Sequence, residues 1–434
     1  MSTATMTSRL VPELRAICGA QYVIEETAAW LRPKSEYQNR EAISHFLDKP
    51  LPIAVTPGSV DEVAAILRLA NQQGFSVFPA GFAEFRPPRS AEVMLLTTRL
   101  TDVEHYDPAD LTVGVGAGMT VGQLNAMVGK DHLLFGVDPP FPERATIGGV
   151  LATSSHGPLR HGYGGLRDFC LGVRFVTGDG RKAKGGGRVV KNVAGYDMMK
   201  LLIGSQGTLA VITSASFKLF PAPRQTRTFV AEFTTWMEAL KFRDAILRSP
   251  LSPMCLELVS PNACRLMRFD SVSKSWDIYV RASGSDAVLA RYRRELGSLV
   301  TRELEAEEER EMWRKIENCG HVSRLDAMVP PSAVADVLES LEDLRKPGFF
   351  EFAVLGRVGL GHVQVHTGFG DIGGPDPAQA IIDHLRQHVQ SEISFCISGR
   401  TNPWPVAPSG LTSMRAVKMA LDPRDILNRG RFLF

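Results

Sequence analysis

Two stretches of the chain carry residue types at spacings that suit chemistry. The first is Ala145-Thr146-Ile147-Gly148-Gly149, which continues through Val150–Thr153 to Ser154-Ser155-His156-Gly157. Adjacent glycines beside small and hydroxyl side chains leave backbone N–H groups uncovered, and such groups can point at a diphosphate without obstruction. A glycine pair also marks an ordinary tight turn, so both readings stand. The second stretch is Arg357-Val358-Gly359-Leu360-Gly361-His362-Val363-Gln364-Val365-His366. Strand alternation puts His362, Gln364 and His366 on one face. Histidine is the usual side chain for taking a hydroxyl proton. Arg357, and by type Arg400, suits a carboxylate clamp. The same alternation also describes the wet face of an antiparallel strand.

Several classes drop out. Gly114-x-Gly116-x-Gly118 follows a strand but lacks the G-x-G-x-x-G spacing of a dinucleotide fold, and there is no phosphate loop of the G-x-x-x-x-G-K-[ST] type. The six cysteines form no C-x-x-C pair, so neither a zinc site nor an iron–sulfur cluster is expected. Lys and Arg number 49 against 47 Asp and Glu, which gives nucleic acid or an anionic membrane no electrostatic handle. No uninterrupted apolar run is long enough for a membrane span, and the N-terminus has no signal-peptide pattern. The cytoplasm is the expected compartment.

The elements that must position these residues follow from periodicity. At roughly 100–200 residues per domain, 434 residues make two or three packed units. Residues 52–78 read as strand, turn, helix and strand. Ser59 and Glu62 sit at capping-box spacing, Val63, Ile66, Leu67 and Ala70 share one helical face, and Gly74 ends the helix. Strands at 93–97, 103–106 and 111–115 follow, then a helix capped by Thr120. A hairpin at 171–184 turns at Gly178-Asp179-Gly180. A helix near 195–204 and a strand at 208–219 lead to Pro221-Ala222-Pro223, the expected domain boundary. Beyond it, strands at 228–233, 276–281, 352–357 and 362–367 alternate with helices at 235–248, 285–298, 331–345 and 377–391. That alternation predicts an antiparallel sheet with helices on one face. The Glu- and Arg-dense run Arg302–Arg314 reads as a solvated helix face.

Four ordered segments carry a family resemblance. They are Ala145–Gly149, Arg167-Asp168-Phe169-Cys170-Leu171-Gly172, Lys191–Asp197, and Gly204-Ser205-Gln206-Gly207-Thr208-Leu209-Ala210-Val211-Ile212. Together with the tail Leu421-Asp422-Pro423-Arg424-Asp425-Ile426-Leu427-Asn428-Arg429-Gly430-Arg431, they resemble the PCMH-type FAD-binding domain of the vanillyl-alcohol-oxidase superfamily. Within it, the chain is similar to the FAD-binding E subunit of bacterial glycolate oxidase. The likeness is dense over 50–220 and 415–434.

The resemblance implies an α+β fold: a two-subdomain FAD domain at 1–223, completed by 400–434, and an antiparallel-sheet cap or substrate domain at 224–399. It implies that Ala145, Thr146, Ile147, Gly148 and Gly149 lie along noncovalent FAD, followed by Ser154, Ser155 and Gly157. It places Gly207, Thr208 and Ile212 at the adenosine end and brings Asn428 to the flavin. Arg357, His362 and His366 would act on a small 2-hydroxy acid. Electrons would pass to a flavoprotein paralogue and an iron–sulfur subunit in a hetero-oligomer. In the first phosphate loop, Pro79-Ala80-Gly81-Phe82-Ala83-Glu84, only Gly81 matches the family's glycine run, and Glu84 brings negative charge towards a diphosphate. A non-catalytic structural subunit with an eroded FAD site is therefore the alternative.

Overall fold

The computed structural model describes residues 3–25, 52–82, 91–187, 196–267, 274–319, 324–344, 352–367, 377–398 and 410–431. The chain forms two compact units. Unit 1 comprises Met1–His156, Gly165–Ala222 and Ala407–Phe434; unit 2 comprises Gly157–Gly164 and Pro223–Val406.

Unit 1 opens with an amphipathic helix, Thr3–Cys18, that no sequence signal announced. Its first sheet has strands β1 (Val23–Ile24), β2 (Ile53–Val55), β3 (Val77–Ala80) and β4 (Val93–Leu96) in the order β1-β2-β4-β3. Strands β2, β4 and β3 run parallel. Parallel strands of one sheet need a crossover connection, and the helix Val60–Gln73 carries the chain from β2 to β3, with β4 seated between them. The helix's Ser59 cap accepts from the Glu62 N–H at 3.1 Å. The Glu62 carboxylate reaches back to the Gly58 N–H instead of that of Ser59. Val63, Ile66, Leu67 and Ala70 bury one helix face, and Gly74 closes it at φ 80°.

The second sheet holds β5 (Val103–Asp107), β6 (Thr112–Gly116), β8 (Cys170–Thr177), β9 (Lys182–Gly186) and β10 (Ala210–Lys218), in the antiparallel order β5-β6-β10-β8-β9. Short strands β7 (Leu133–Leu134) and β11 (Phe220–Pro221) pair beside it. A complete capping box between Thr120 and Gln123 starts the helix Val121–Val128. The Phe135, Phe169 and Phe217 rings meet edge to face in the core. The tail returns to the first sheet, where Leu427 bridges Val77 in parallel.

Unit 2 is built on an eight-stranded sheet. Its strands are β12 (Thr226–Phe233), β13 (Cys255–Val259), β14 (Trp276–Ser283), β15 (Val300–Leu304), β16 (Arg324–Met328), β17 (Phe352–Arg357), β18 (His362–Thr367) and β19 (Ser394–Ser398). They lie in the order β15-β12-β14-β13-β17-β18-β16-β19, every described pair antiparallel. One face supplies Phe229, Leu256, Leu258, Ile278, Val280, Leu325, Val354, Val363 and Val365 to a single core. That core is closed by the helices Trp236–Arg248, Asp286–Leu296, Val334–Asp343 and Pro377–His388. The expected antiparallel sheet forms, and these four helices pack on one of its faces. The run Arg302–Arg314 departs from expectation. Its start belongs to edge strand β15, and the helix Ala306–Glu317 buries Glu309, Met312, Trp313 and Ile316. Its Glu309 carboxylate accepts from Thr228 Oγ1 at 2.8 Å, so this helix lies on the sheet's other face.

Candidate FAD and substrate sites

In unit 1 the glycine-bearing segments converge through backbone contacts. A Cβ on Gly81 would stand 2.2 Å from Thr146 Oγ1, so the end of β3 touches the start of the helix Ile147–Thr153. Gly204 N–H donates to Leu151 O at 2.9 Å, and Gln206 N–H donates to Ala152 O at 2.7 Å. These bonds dock the Gly204–Ile212 motif on the end of that helix. Gly207, at φ +67°, packs against Asn428, whose Nδ2 donates to Gln206 O at 2.6 Å. Asn428 N–H donates to Val77 O, which closes the ring of segments back on β3.

The glycine pair itself works differently from the sequence expectation. Ile147 N–H donates to Met119 O, Gly148 N–H to Ala117 O, and Gly149 N–H to Thr146 Oγ1 at 3.2 Å. Three donors expected to be open for a diphosphate are thus paired within the protein. A buried N–H without a partner is costly, and close packing on Met119 and Ala117 supplies partners. Ala145 is likewise bound at both ends, donating to Phe141 O and accepting from Val121 N–H. Ser154 closes the helix in the left-handed region at φ 53°, Ser155 N–H donates to Val150 O, and His156 Nδ1 meets Ser154 O at 2.8 Å. Gly157 belongs to the stretch that joins unit 2. The Thr208 hydroxyl donates to Ser205 O at 2.7 Å, and Ile212 sits in the core on β10. Buried acceptors remain at this ring. Asn428 Oδ1 and Ser205 Oγ have no hydrogen-bond partner within the described protein, although both residues are buried.

In unit 2 the second face of the sheet carries a polar row. The ladder places Tyr279 beside Glu257 and Arg357 beside His362. One step along, Gln364 lies beside Asp326; one further, His366 lies beside Arg324. Gly361 makes the tight β17–β18 turn at φ +73°, where a Cβ would stand 1.8 Å from Val329 O. Only glycine fits there, and the turn fixes the Arg357–His362 register. The row is not a wet face: Arg357, His362, Gln364 and His366 are all buried.

The hydrogen bonds assign protons. Arg357 Nη1 lies 2.7 Å from His362 Nδ1. A guanidinium can only donate, so Nδ1 must accept and the ring proton sits on Nε2. Nε2–H then donates to Asp326 Oδ1 at 2.8 Å. Gln364 Nε2 donates to the same oxygen, Arg324 Nε donates to Oδ2, and Arg357 Nε pairs with Glu257 at 3.5 Å. Burial alone would raise the Asp326 carboxyl. The Arg324 charge and the bonds from His362 and Gln364 outweigh it and hold Asp326 below the usual carboxylate range. Burial, aided by the Arg357 charge, lowers His362 to about 4 despite the opposite pull of Asp326. His362 is therefore neutral at physiological pH. Asp326, Glu257 and Arg324 escaped the sequence reading because β13 and β16 were not recognised as strands. The alternation of Arg324 and Asp326 around Leu325 was the signal available. Arg400, Glu84 and residues 191–195 lie outside the described residues.

Residues 51–184 match the family model of the FAD binding domain, and residues 402–432 match that of the C-terminal domain of FAD linked oxidases. These two matches bracket the strands and the tail that meet at Val77 and Leu427. The chain is an FAD-linked oxidoreductase. It is 28% identical over 412 residues to a D-lactate dehydrogenase of Archaeoglobus fulgidus, covering 87% of this chain and 90% of that protein. It is 25% identical to glycolate oxidase subunit GlcD of Bacillus subtilis, covering 87% and 88%. Subunit GlcE of Escherichia coli is 35% identical over 155 residues, which are 35% of this chain and 44% of that subunit. Among solved structures, p-cresol methylhydroxylase with substrate bound superposes with a TM-score of 0.73 at 15% identity, covering 98% of this chain and 96% of that one. The fold is thus that of PCMH-type flavoproteins.

The oxidoreductase's own residues fit the cofactor. Backbone of β3, the 147–153 helix, the 204–208 loop and the tail converges here, with unspent acceptors at Asn428 Oδ1 and Ser205 Oγ. Such acceptors suit the N–H donors of flavin or adenine. Among the described residues, no group of three or more His, Cys, Asp or Glu side chains is placed to hold a metal. No described helix is long and apolar enough to cross a membrane.

Proposed function

We propose that this chain is the FAD-binding subunit of a glycolate-oxidase-like 2-hydroxy-acid dehydrogenase. In this reading it works in the cytoplasm beside a flavoprotein paralogue and an iron–sulfur subunit that take its electrons. The observation that carries the catalytic part is the buried Glu257–Arg357–His362–Asp326 chain. Glu257 and His362 hold the Arg357 guanidinium from two sides, which prepares a planar donor for a carboxylate. His362 has both ring nitrogens engaged, one as acceptor and one as donor, so it orients Arg357 and does not take a proton. His366, four positions along β18 on the same buried face, is the side chain we assign as the base for the substrate hydroxyl. FAD, when bound, would supply the acceptor for the hydride of the hydroxyl-bearing carbon. Relatives named D-lactate dehydrogenase and glycolate oxidase support a small hydroxy acid as substrate.

The test is anaerobic titration of the purified yellow protein with glycolate or D-lactate, following the visible flavin absorption. Bleaching is expected, and His366→Asn should slow it by about 10²- to 10⁴-fold. Arg357→Met should weaken hydroxy-acid binding more than it slows reduction at saturation. Bleaching unaffected by His366→Asn would remove the base assignment. A protein that stays colourless with added FAD would favour the structural-subunit reading.

A further inference from the structure

The C-terminal tail is held to the cofactor ring by a buried lysine that none of the motifs singles out. Lys418 lies on the helix Leu411–Leu421 and is 5% exposed. Its Nζ donates to Thr208 O at 2.8 Å, to Asp422 Oδ2 at 2.6 Å and to Leu427 O at 3.0 Å. Asp425 Oδ1 lies 3.0 Å away on the more exposed side. An ammonium has three protons, and each finds an oxygen. Burying a lysine is expensive unless it is paired and fully hydrogen-bonded. The buried Asp422 makes the pairing complete, because its carboxylate also accepts from Ile426 N–H at 3.1 Å and Leu427 N–H at 2.8 Å. The 422–427 turn is therefore wound around one ion pair.

The two carbonyls bound by Lys418 are informative. Thr208 O belongs to the Gly204–Ile212 motif, and Leu427 O directly precedes Asn428. One ammonium thus ties the two segments that face each other across Gly207, where the Asn428 side chain packs and donates to Gln206 O. Asn428 is 3% exposed, sits at φ 47° in the left-handed region, and keeps Oδ1 without a partner. An acceptor held in that backbone conformation stays in place only if its surroundings fix it. Lys418 and Asp422 fix one side, and β3 fixes the other through Val77.

We propose that Lys418 is a positioning residue for FAD, setting the place of the Asn428 amide through the Thr208 and Leu427 carbonyls. The inference rests on FAD binding in unit 1 and needs nothing from the substrate site. Its test is the FAD dissociation constant of the full chain, measured by flavin fluorescence in a double-mutant cycle of Lys418→Met and Asn428→Leu. Each single variant should weaken FAD by about 10-fold or more, as expected for losing a hydrogen bond to a buried or charged group. The double variant should be no weaker than the worse single one, because both act on one contact. Losses that multiply, or a Lys418→Met protein that binds FAD as tightly as the parent, would overturn the proposal. If Lys418→Met does not fold, Asp425→Asn replaces it. That partly exposed substitution loosens the same ammonium and should give a smaller loss, again absorbed by Asn428→Leu. Failure of the parent itself to bind FAD would instead refute the cofactor reading, so the two failures are distinct.

Discussion

The neutral Nε2–H tautomer of His362 has a consequence for acid stability. Unfolded, its imidazole titrates at the ordinary 6.5; folded, burial lowers it to about 4. Between those values the unfolded chain binds a proton that the folded chain refuses, so stability falls as pH drops through that window. The slope is on the order of 1 kcal/mol per pH unit for one such group. Asp277 works in the opposite direction, since burial raises its carboxyl to about 6 and favours the folded state as pH falls from 6 towards 4. A parent-against-variant comparison removes that background. Glutamine at 362 can donate to Asp326 and accept from Arg357 without titrating. His362→Gln should therefore lose less stability than the parent between pH 7 and pH 4.5, read by urea unfolding at each pH. Parallel stability curves for the two proteins would show that His362 is charged in the fold. Asp326 acts lower, where its depressed carboxyl stabilises the fold above the unfolded value of 3.8 and is lost as pH falls below it.

At the scale of elements, the helix Ala306–Glu317 shows how a buried charge anchors an amphipathic segment. Glu309 is 1% exposed and accepts from Thr226 Oγ1 at 2.6 Å, Thr228 Oγ1 at 2.8 Å and Arg281 Nε at 3.1 Å. Trp313 Nε1 donates to Thr228 Oγ1, and the Arg281 guanidinium lies over the Trp313 ring. Glu309→Ala leaves Arg281 without its carboxylate and should destabilise by about 3 kcal/mol or more. Glu309→Gln keeps an acceptor and should lose less, both measured by denaturant midpoint. Equal, small losses would mean that water replaces the carboxylate. This helix also marks where sequence reading stops. Residues 309, 312, 313 and 316 fall at core spacing, but a glutamate among them reads as solvent-facing until its hydroxyl partners on β12 are known. Helices with plain apolar stripes, such as Val60–Gln73 and Trp236–Arg248, and the β17–β18 hairpin were legible from periodicity and caps alone. Strands β13, β15, β16 and β19 were not, because each is five residues long and its pattern is completed only by ladder neighbours distant in sequence. The same holds for the sites: motif spacing pointed to the cofactor segments, whereas Asp326, Glu257 and Lys418 matter through partners that only the fold supplies.

Across the whole molecule, each unit has cores of its own. Phe229 to Ile397 cluster in unit 2, whereas the clusters around Val115 and Val63 belong to unit 1. Thiols report on them separately. All six cysteines are free. Burial pushes Cys18 and Cys170 in unit 1, and Cys319 in unit 2, up to about 12. Thiolate is the reactive form, so these three resist alkylation until their surroundings open. In mild denaturant, the labelling rate of each cysteine then measures the opening of its own unit. FAD at about 100 times its dissociation constant stabilises the state that binds it by about 2.7 kcal/mol, which is about 100-fold in the open population. Its ring of contacts lies in unit 1. FAD should accordingly slow labelling of Cys18 and Cys170 by up to that factor and leave Cys319 near its original rate, read by peptide mass spectrometry after iodoacetamide pulses. Equal protection of all three would mean that the two units open as one and that the separate cores do not divide the chain energetically. Protection of Cys319 alone would move the FAD contacts out of unit 1 and contradict the convergence of β3, the 204–208 loop and the tail around Asn428.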